Sequence, residues 1–372
     1  MSAEIDVVIV GGGAAGVGAA RRLAESGVCV LLIEATSRIG GRAWTHEISG
    51  LSLDLGCGWL HSADRNAWAR TAEAAGLAID RRTPAWGEQY RDLGFTPAEQ
   101  AAAAQAFDVW HRKLSANPPA SDRASDALAP EGEWNQYLEA VSGFISGARL
   151  ESLSVADYMA YDTASTGRNW RVPTGYGALI AGSLPATVAL RLSTPAQSIE
   201  LEAPGVSVAT PVGTIRARAA ILTVSTAVLA GDMIKLPAAL AEWREAAALL
   251  PLGRNEKLFL QIPDDNAFAP ESHVLGDPRN AGTGAYYIRP FGRPVIECFF
   301  GGDGARMVEE DGPATGFAYA IDQLSALFGS GVRERLHPLV ASAWGRVTPV
   351  GGGYSYALPG QVAARERLAR PF

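Results

Sequence analysis

The 372-residue chain is poor in cysteine, in lysine and in charge. Its three cysteines, Cys29, Cys57 and Cys298, stand far apart and form no Cys-x-x-Cys, which excludes a zinc ribbon or a disulfide scaffold. Cys29 lies in an apolar run and reads as a buried thiol. The five histidines are scattered without a His-x-x-x-His pair, so no metal site is expected. Charged residues make up 19%, against a usual ~25%. Basic residues number 32 against 39 acidic ones, for a net charge of −7, and no basic run occurs, which argues against a nucleic-acid partner. Long apolar runs are missing too. Val7–Ala20 and Ala219–Gly231 fall short of the ~20 residues that span a bilayer, and Val172–Leu190 is broken by Pro173, Gly175, Gly177, Gly182 and Pro185. The N-terminus has no basic or apolar leader pattern, so the expected location is the cytoplasm. Lysine occurs only at Lys113, Lys235 and Lys257, so a lysine inside an apolar strand calls for a reason.

What is present is apolar surface, 48% of residues, and 41 glycines clustered at turns. The length suggests about two domains at roughly 150 residues each. Ile5–Val10 and Val28–Ile33 read as buried strands flanking a helix over 14–26 that ends at Gly27, a βαβ unit. Arg65–Ala75 reads as a short helix. Thr96-Pro97-Ala98-Glu99 is a capping box that opens a helix to about Leu114. Trp134–Ser146, closed by Gly147, and Ser154–Tyr161, with Ser154 and Asp157 as a second capping box, complete a mostly helical block over 78–185. Strands follow over 191–201, 206–209 and 214–224, with Pro204-Gly205 as a turn. A helix is expected over 238–250, strands over 257–262, 284–288 and 294–300, and a helix over 314–328 ending at Gly329.

Gly11-x-Gly13-x-x-Gly16 lies between a strand and a helix and fits the dinucleotide fingerprint. Gly11 permits the tight turn, Gly13 lets a pyrophosphate reach the backbone, and Gly16 lets helix and strand pack closely. The free N–H groups at the helix start, at Ala14 and Ala15, face phosphate. Glu34, eighteen residues after Gly16, is placed to accept from a ribose hydroxyl.

The next block, Glu34-Ala35-x-x-Arg38-x-Gly40-Gly41-Arg42, resembles the second flavin-contacting motif of the flavin-dependent amine oxidase family, the monoamine and polyamine oxidases. Arg38 and Arg42 put positive charge near the ribose and pyrophosphate. Asp54-Leu55-Gly56-x-Gly58-Trp59-Leu60-His61 is similar to the family block that passes beside the flavin ring. Trp170-Arg171-Val172-Pro173-x-Gly175-Tyr176-Gly177, Leu192–Ala196 (with Ala196 where the family commonly has Val) and Ala220–Ser225 extend the resemblance along the chain. Leu252–Leu260 matches the family strand whose lysine, here Lys257, holds a water near flavin N5. Removal from water favours a lysine's neutral form, so Lys257 is expected to place water or move protons; the alternative is a strand-end lysine reaching solvent. Trp344 and the segment Gly353-Tyr354-Ser355-Tyr356 resemble the last family block before its C-terminal motif. Trp344 and Tyr354 are expected to wall the flavin and the amine, with core packing as the other reading of Trp344. Trp59 and His61 are candidates for the pocket rim, and His61 equally for a structural hydrogen bond.

The resemblance implies an α/β chain. A Rossmann-like FAD-binding domain is expected over 1–77, 186–250 and 345–372. An α+β substrate domain with a mixed sheet and helices is expected over 78–185 and 251–344. It further implies FAD as cofactor, a small amine and dioxygen as partners, hydride transfer to flavin N5 and release of hydrogen peroxide. The family's closing strand, Ala-Gly-Glu segment and Gly-rich helix start do not follow Arg370-Pro371-Phe372, which implies weakened flavin binding and an exposed apolar patch. A flavin enzyme acting on C–C bonds, and an inactive flavin-fold protein, are the other readings.

Overall fold

The computed structural model describes residues 5–263 and 268–372. In chain order its strands are β1 (Ile5–Val10), β2 (Val30–Ile33), β3 (Thr45–Ile48), β4 (Leu51–Asp54), β5 (Ala189–Arg191), β6 (Ser198–Leu201), β7 (Val206–Thr210), β8 (Gly213–Leu222), β9 (Asn255–Gln261), β10 (Ser272–Leu275), β11 (Ala285–Ile288), β12 (Val295–Gly301) and β13 (His337–Ala341).

Six of them form one sheet in the order β5-β2-β1-β8-β7-β6. β1 pairs parallel with β2 (Val10 opposite Ile33) and with β8 (Val10 opposite Leu222). β2 is buried along its whole length, which is why it carries no polar residue. β8, β7 and β6 run antiparallel, so the mixed pairing lies in this sheet. The chain leaves β1 and β8 at the same carboxyl edge, between two strands it reaches by different routes. Such a switch point is where an open α/β sheet holds its ligand.

The second sheet has the order β10-β11-β12-β9-β13 and is antiparallel throughout, which corrects the mixed sheet expected for this region. Alternation divides its residues between two faces. Leu258, Leu260, Ile296, Cys298 and Phe300 pack on helices Asp303–Asp311 and Pro313–Phe328 through Val308, Phe317, Ala320 and Leu324. Phe259 and Val295, on the other face, meet Leu53 and Leu55 of the β3–β4 hairpin and its exit.

Helix Pro97–Ala116 starts at the expected capping box, with Thr96 N–H donating to Glu99 and Glu99 N–H donating to Thr96 Oγ1. Helices Asn135–Ser146 and Val155–Ala164 follow, and Gly147 closes the first of them at φ 68°. At Ser154 only half of the second box forms: the Ser154 hydroxyl accepts from Asp157 N–H. The Asp157 carboxylate instead takes the Ala357 N–H at 2.8 Å and the Arg365 guanidinium, tying the C-terminal segment to this helix. The strand expected over 191–201 splits into β5 and β6, and the helix expected over 238–250 begins as a short 3-10 turn before Ala241–Ala248. The β3–β4 hairpin turns on Ser49 and Gly50, both at positive φ, the pattern of a two-residue hairpin turn. Among the described residues no helix is long and apolar enough to cross a membrane.

Candidate active site

A cleft of about 880 Å³ starts at the carboxyl edge of β1 and ends against β9. Its floor is the first Gly-rich turn, where Gly11, Gly13, Ala14 and Ala15 line it. Gly16 does not line it. A Cβ there would stand 1.9 Å from Gly11 O, so Gly16 is what lets helix Ala14–Ala24 approach β1. No side chain caps that helix, so its first-turn N–H groups remain available to a ligand.

Glu34, at the end of β2, is 8% exposed. Its carboxylate accepts the Gly12 N–H at 2.7 Å and the Thr36 N–H and hydroxyl at 2.8 Å each. It therefore fixes the two turns against each other and keeps one acceptor position in reserve. Ala35, Arg38, Gly40, Gly41 and Arg42 continue the wall. Gly40 and Gly41 have φ of 117° and 59°, the left-handed region, and Gly40 N–H donates to Gly12 O at 2.8 Å. Arg38 donates to Gly41 O at 2.7 Å, and its guanidinium lies 4.6 Å from the Trp44 ring and 5.8 Å from the Trp344 ring. Burial pushes Arg38 below the usual arginine value, and the nearby Glu34 charge opposes that. Arg42 donates to Gly353 O. Ala196 and its neighbours Thr194 and Pro195 close the same end.

The other end is built on β9. Lys257 is 7% exposed, and its Nζ lies 2.7 Å from Glu297 Oε1 on β12. The lysine is thus no lone cation: a carboxylate compensates its loss of water. Its backbone is fixed by Ser342, whose hydroxyl accepts the Lys257 N–H at 2.8 Å and whose N–H donates to Lys257 O at 2.8 Å. Tyr354 reaches the cleft because its segment is laced to the approach of β9. Gly253 N–H donates to Tyr354 O, and Gly353 N–H to Gly253 O, both at 2.7 Å. Trp344 is 5% exposed, lines the cleft, and donates through its indole N–H to Leu55 O at 2.9 Å, so it is packed in place and faces the cleft at the same time. Gly56 sits between Arg42 and Trp344.

Three expected residues lie elsewhere. Gly58 and Trp59 line a separate pocket of about 40 Å³ that shares Lys257 with the cleft and has Glu297 in its own wall. There Trp59 packs on Trp86 at 4.4 Å and under the Arg171 guanidinium at 4.9 Å, a contact that turns it away from the cleft. His61 lines neither space: its Nδ1 is 2.7 Å from Asn169 Oδ1 on the neighbouring segment, the structural hydrogen bond of the two alternatives. Sequence reading missed Glu297, Phe299 and Cys57 as neighbours of Lys257. Glu297 stands opposite Phe259 in the β12–β9 register, diagonal to Lys257, and only the register reveals that.

The donor set fits a flavin dinucleotide. A glycine floor, an uncapped helix start, an acid at the end of the second strand and two arginines occupy one end. A cleft long enough for an extended ligand leads from there to the lysine and two aromatic rings.

Comparison with known proteins gives the same direction. The family profile described as flavin containing amine oxidoreductase matches residues 86–371, and that of the NAD(P)-binding Rossmann-like domain matches 9–74. Polyamine oxidase 4 of Oryza sativa subsp. japonica is 25% identical over 399 residues, covering 98% of this chain and 81% of the relative. Pseudooxynicotine dehydrogenase of a Pseudomonas species is 26% identical over 301 residues, 70% of this chain and 60% of the relative. Among solved structures, cyclohexylamine oxidase from Brevibacterium oxydans IH-35A superposes with a TM-score of 0.73 at 19% identity, over 99% of this chain and 91% of that one. A putrescine oxidase bound to putrescine gives 0.73 at 18%, over 97% and 90%. At these identities the structures establish the fold.

Proposed function

Because this chain belongs to the flavin-containing amine oxidoreductase family, whose members are FAD-dependent, we propose that it oxidises the carbon–nitrogen bond of a small amine and passes the electrons to dioxygen, releasing hydrogen peroxide. The supporting observation is the single cleft that joins the dinucleotide turn to Lys257, Trp344 and Tyr354. FAD, when bound, supplies the acceptor for the hydride leaving the carbon next to nitrogen.

In this reading the glycine turn and the start of helix Ala14–Ala24 hold the pyrophosphate, Glu34 accepts from the ribose, and Arg38 and Arg42 balance the phosphate charge. Ala196 flanks the adenine. Trp344 and Tyr354 shape the reacting end and exclude water from it. Lys257 holds a proton or a water at Nζ, with Glu297 keeping that nitrogen at a fixed point. No strong base is required, because the amine enters neutral and its nitrogen lone pair drives the loss of hydride. The cofactor domain takes residues 1–77, 186–250 and 345–372, and the substrate domain takes 78–185 and 251–344.

The test is anaerobic mixing of the FAD-loaded chain with amines, followed by admission of air. Bleaching of the flavin band by an amine, then recovery with stoichiometric peroxide, is the expected result. Recovery without peroxide would refute the dioxygen step. An unbleached band with every amine would refute amine oxidation.

A further inference from the structure

Behind Trp344 lie two carboxyl groups that the reaction above does not use. Alternation along β9 turns Glu256 away from Lys257 and toward helix Asp303–Asp311. Glu256 has no exposed surface. Its Oε1 accepts the Trp344 N–H at 2.5 Å and the Gly345 N–H at 3.4 Å, and its Oε2 accepts the Ser342 hydroxyl. Glu309, on that helix, is 8% exposed and accepts the same Gly345 N–H at 3.1 Å, so one N–H is shared between the two carboxyl groups. Gly345 leaves room for this: a Cβ there would stand 2.3 Å from Glu309 Oε1. The cation nearby is Arg254, 3.3 Å from Glu309 and 2.9 Å from the exposed Glu310. From β12, the residue opposite Glu256 is the uncharged Phe300. Two buried carboxylates converging on one N–H, with a half-exposed arginine already divided between two partners, cannot both stay ionised in this surrounding.

We propose that Glu256 and Glu309 share one proton and act as a positioning pair, which holds Ser342–Gly345, and through it Trp344 and the Lys257 backbone, against the cleft. The pair goes beyond the proposed reaction. Its effect on protein stability is independent of that reading, and its effect on FAD rests on it. Burial, reinforced by the contact with Glu309, pushes Glu256 up to about 8. The folded chain therefore keeps a proton that the unfolded chain loses above the ordinary carboxyl value of 4.5. The stabilisation is complete below that value and is lost as pH rises through about 8. Loss of the proton puts repulsion directly behind Trp344.

The experiment compares the full chain with Glu256→Gln and Glu309→Gln. Thermal stability is followed from pH 5 to 10, and FAD affinity is read at pH 6 and 9 from quenching of flavin fluorescence. The wild type is expected to lose stability toward pH 8 and to bind FAD roughly three- to tenfold more weakly at pH 9 than at pH 6. Glu256→Gln keeps a neutral side chain of the same shape and should flatten both profiles. Glu309→Gln removes the repelling charge and should shrink the alkaline loss. Parallel profiles for wild type and Glu256→Gln overturn the proposal. A reading on the wild type alone guards against a variant that fails to fold: infrared spectroscopy should show a buried protonated carboxyl at pH 7 that vanishes by pH 10. Its absence at pH 7 overturns the proposal as well. Flat FAD affinity alongside pH-dependent stability would leave the shared proton standing and overturn its effect on the cleft.

Discussion

Lys257 Nζ and Glu297 Oε1 lie 2.7 Å apart, a contact between β9 and β12 made by residues diagonal in the register. The side chains are 9% and 19% exposed, so each charge depends on the other for what it loses in hydration. That dependence separates a chemical role from a structural one.

Lys257→Met should slow flavin reduction by an amine, or its reoxidation by dioxygen, by roughly a hundredfold, with circular dichroism unchanged. Stopped-flow measurement of both half-reactions checks this. Equal rates in both halves for variant and wild type would contradict the assignment.

The same substitution strands the Glu297 carboxylate. Lys257→Met should cost about 2 kcal/mol of stability, and adding Glu297→Gln should recover most of it. A double-mutant cycle in urea measures the coupling. Additive losses would show that the pair is not energetically linked.

Gly56 packs where a side chain has no space: a Cβ would stand 1.8 Å from Arg42 O and 2.9 Å from the Trp344 ring. Gly56→Ala should lower the melting temperature by several degrees and release FAD on desalting. Gly18→Ala is the control. It lies in helix Ala14–Ala24 with nothing within 4 Å of the new methyl, so it should be neutral or stabilise by up to about 1 kcal/mol.

Acid stability has its own determinant. His273, on β10, is 8% exposed, and burial pushes its imidazole from the ordinary 6.5 down to about 4. Between those values the unfolded chain binds the proton and the folded chain does not, so stability falls as pH drops from 6.5 toward 4, by about 3 kcal/mol in all. His273→Gln should flatten this limb in melting curves from pH 7 to 4.5. Glu256 acts with the opposite sign over part of this range, so the comparison with the variant, not the wild-type slope alone, carries the test.

Much of this molecule is legible in its sequence where the signal is local. The glycine turn, its helix and the two apolar strands form as their periodicity dictates, since β2 and the second half of β1 are buried and need no partner-specific residues. Lys257 stands out because lysine is otherwise nearly absent. Capping at Thr96 is contained in four residues, and it forms in full. At Ser154 the same pattern forms by half, because Asp157 finds the Ala357 N–H and Arg365, about two hundred residues on. Glu297 and Glu309 illustrate the same limit: their partners are set by strand register and by which face of β9 each residue occupies. Trp59 and His61 follow the family block in order, yet Trp86, Arg171 and Asn169, from distant segments, hold them outside the cleft.

The most direct test of the account is the visible spectrum of the purified chain, loaded with FAD, desalted, and then mixed anaerobically with putrescine, spermidine, cyclohexylamine and benzylamine in turn. The account predicts a flavin band that survives desalting and bleaches with at least one of these amines. A folded sample that retains no flavin, or a retained band that none of them bleaches, would contradict it.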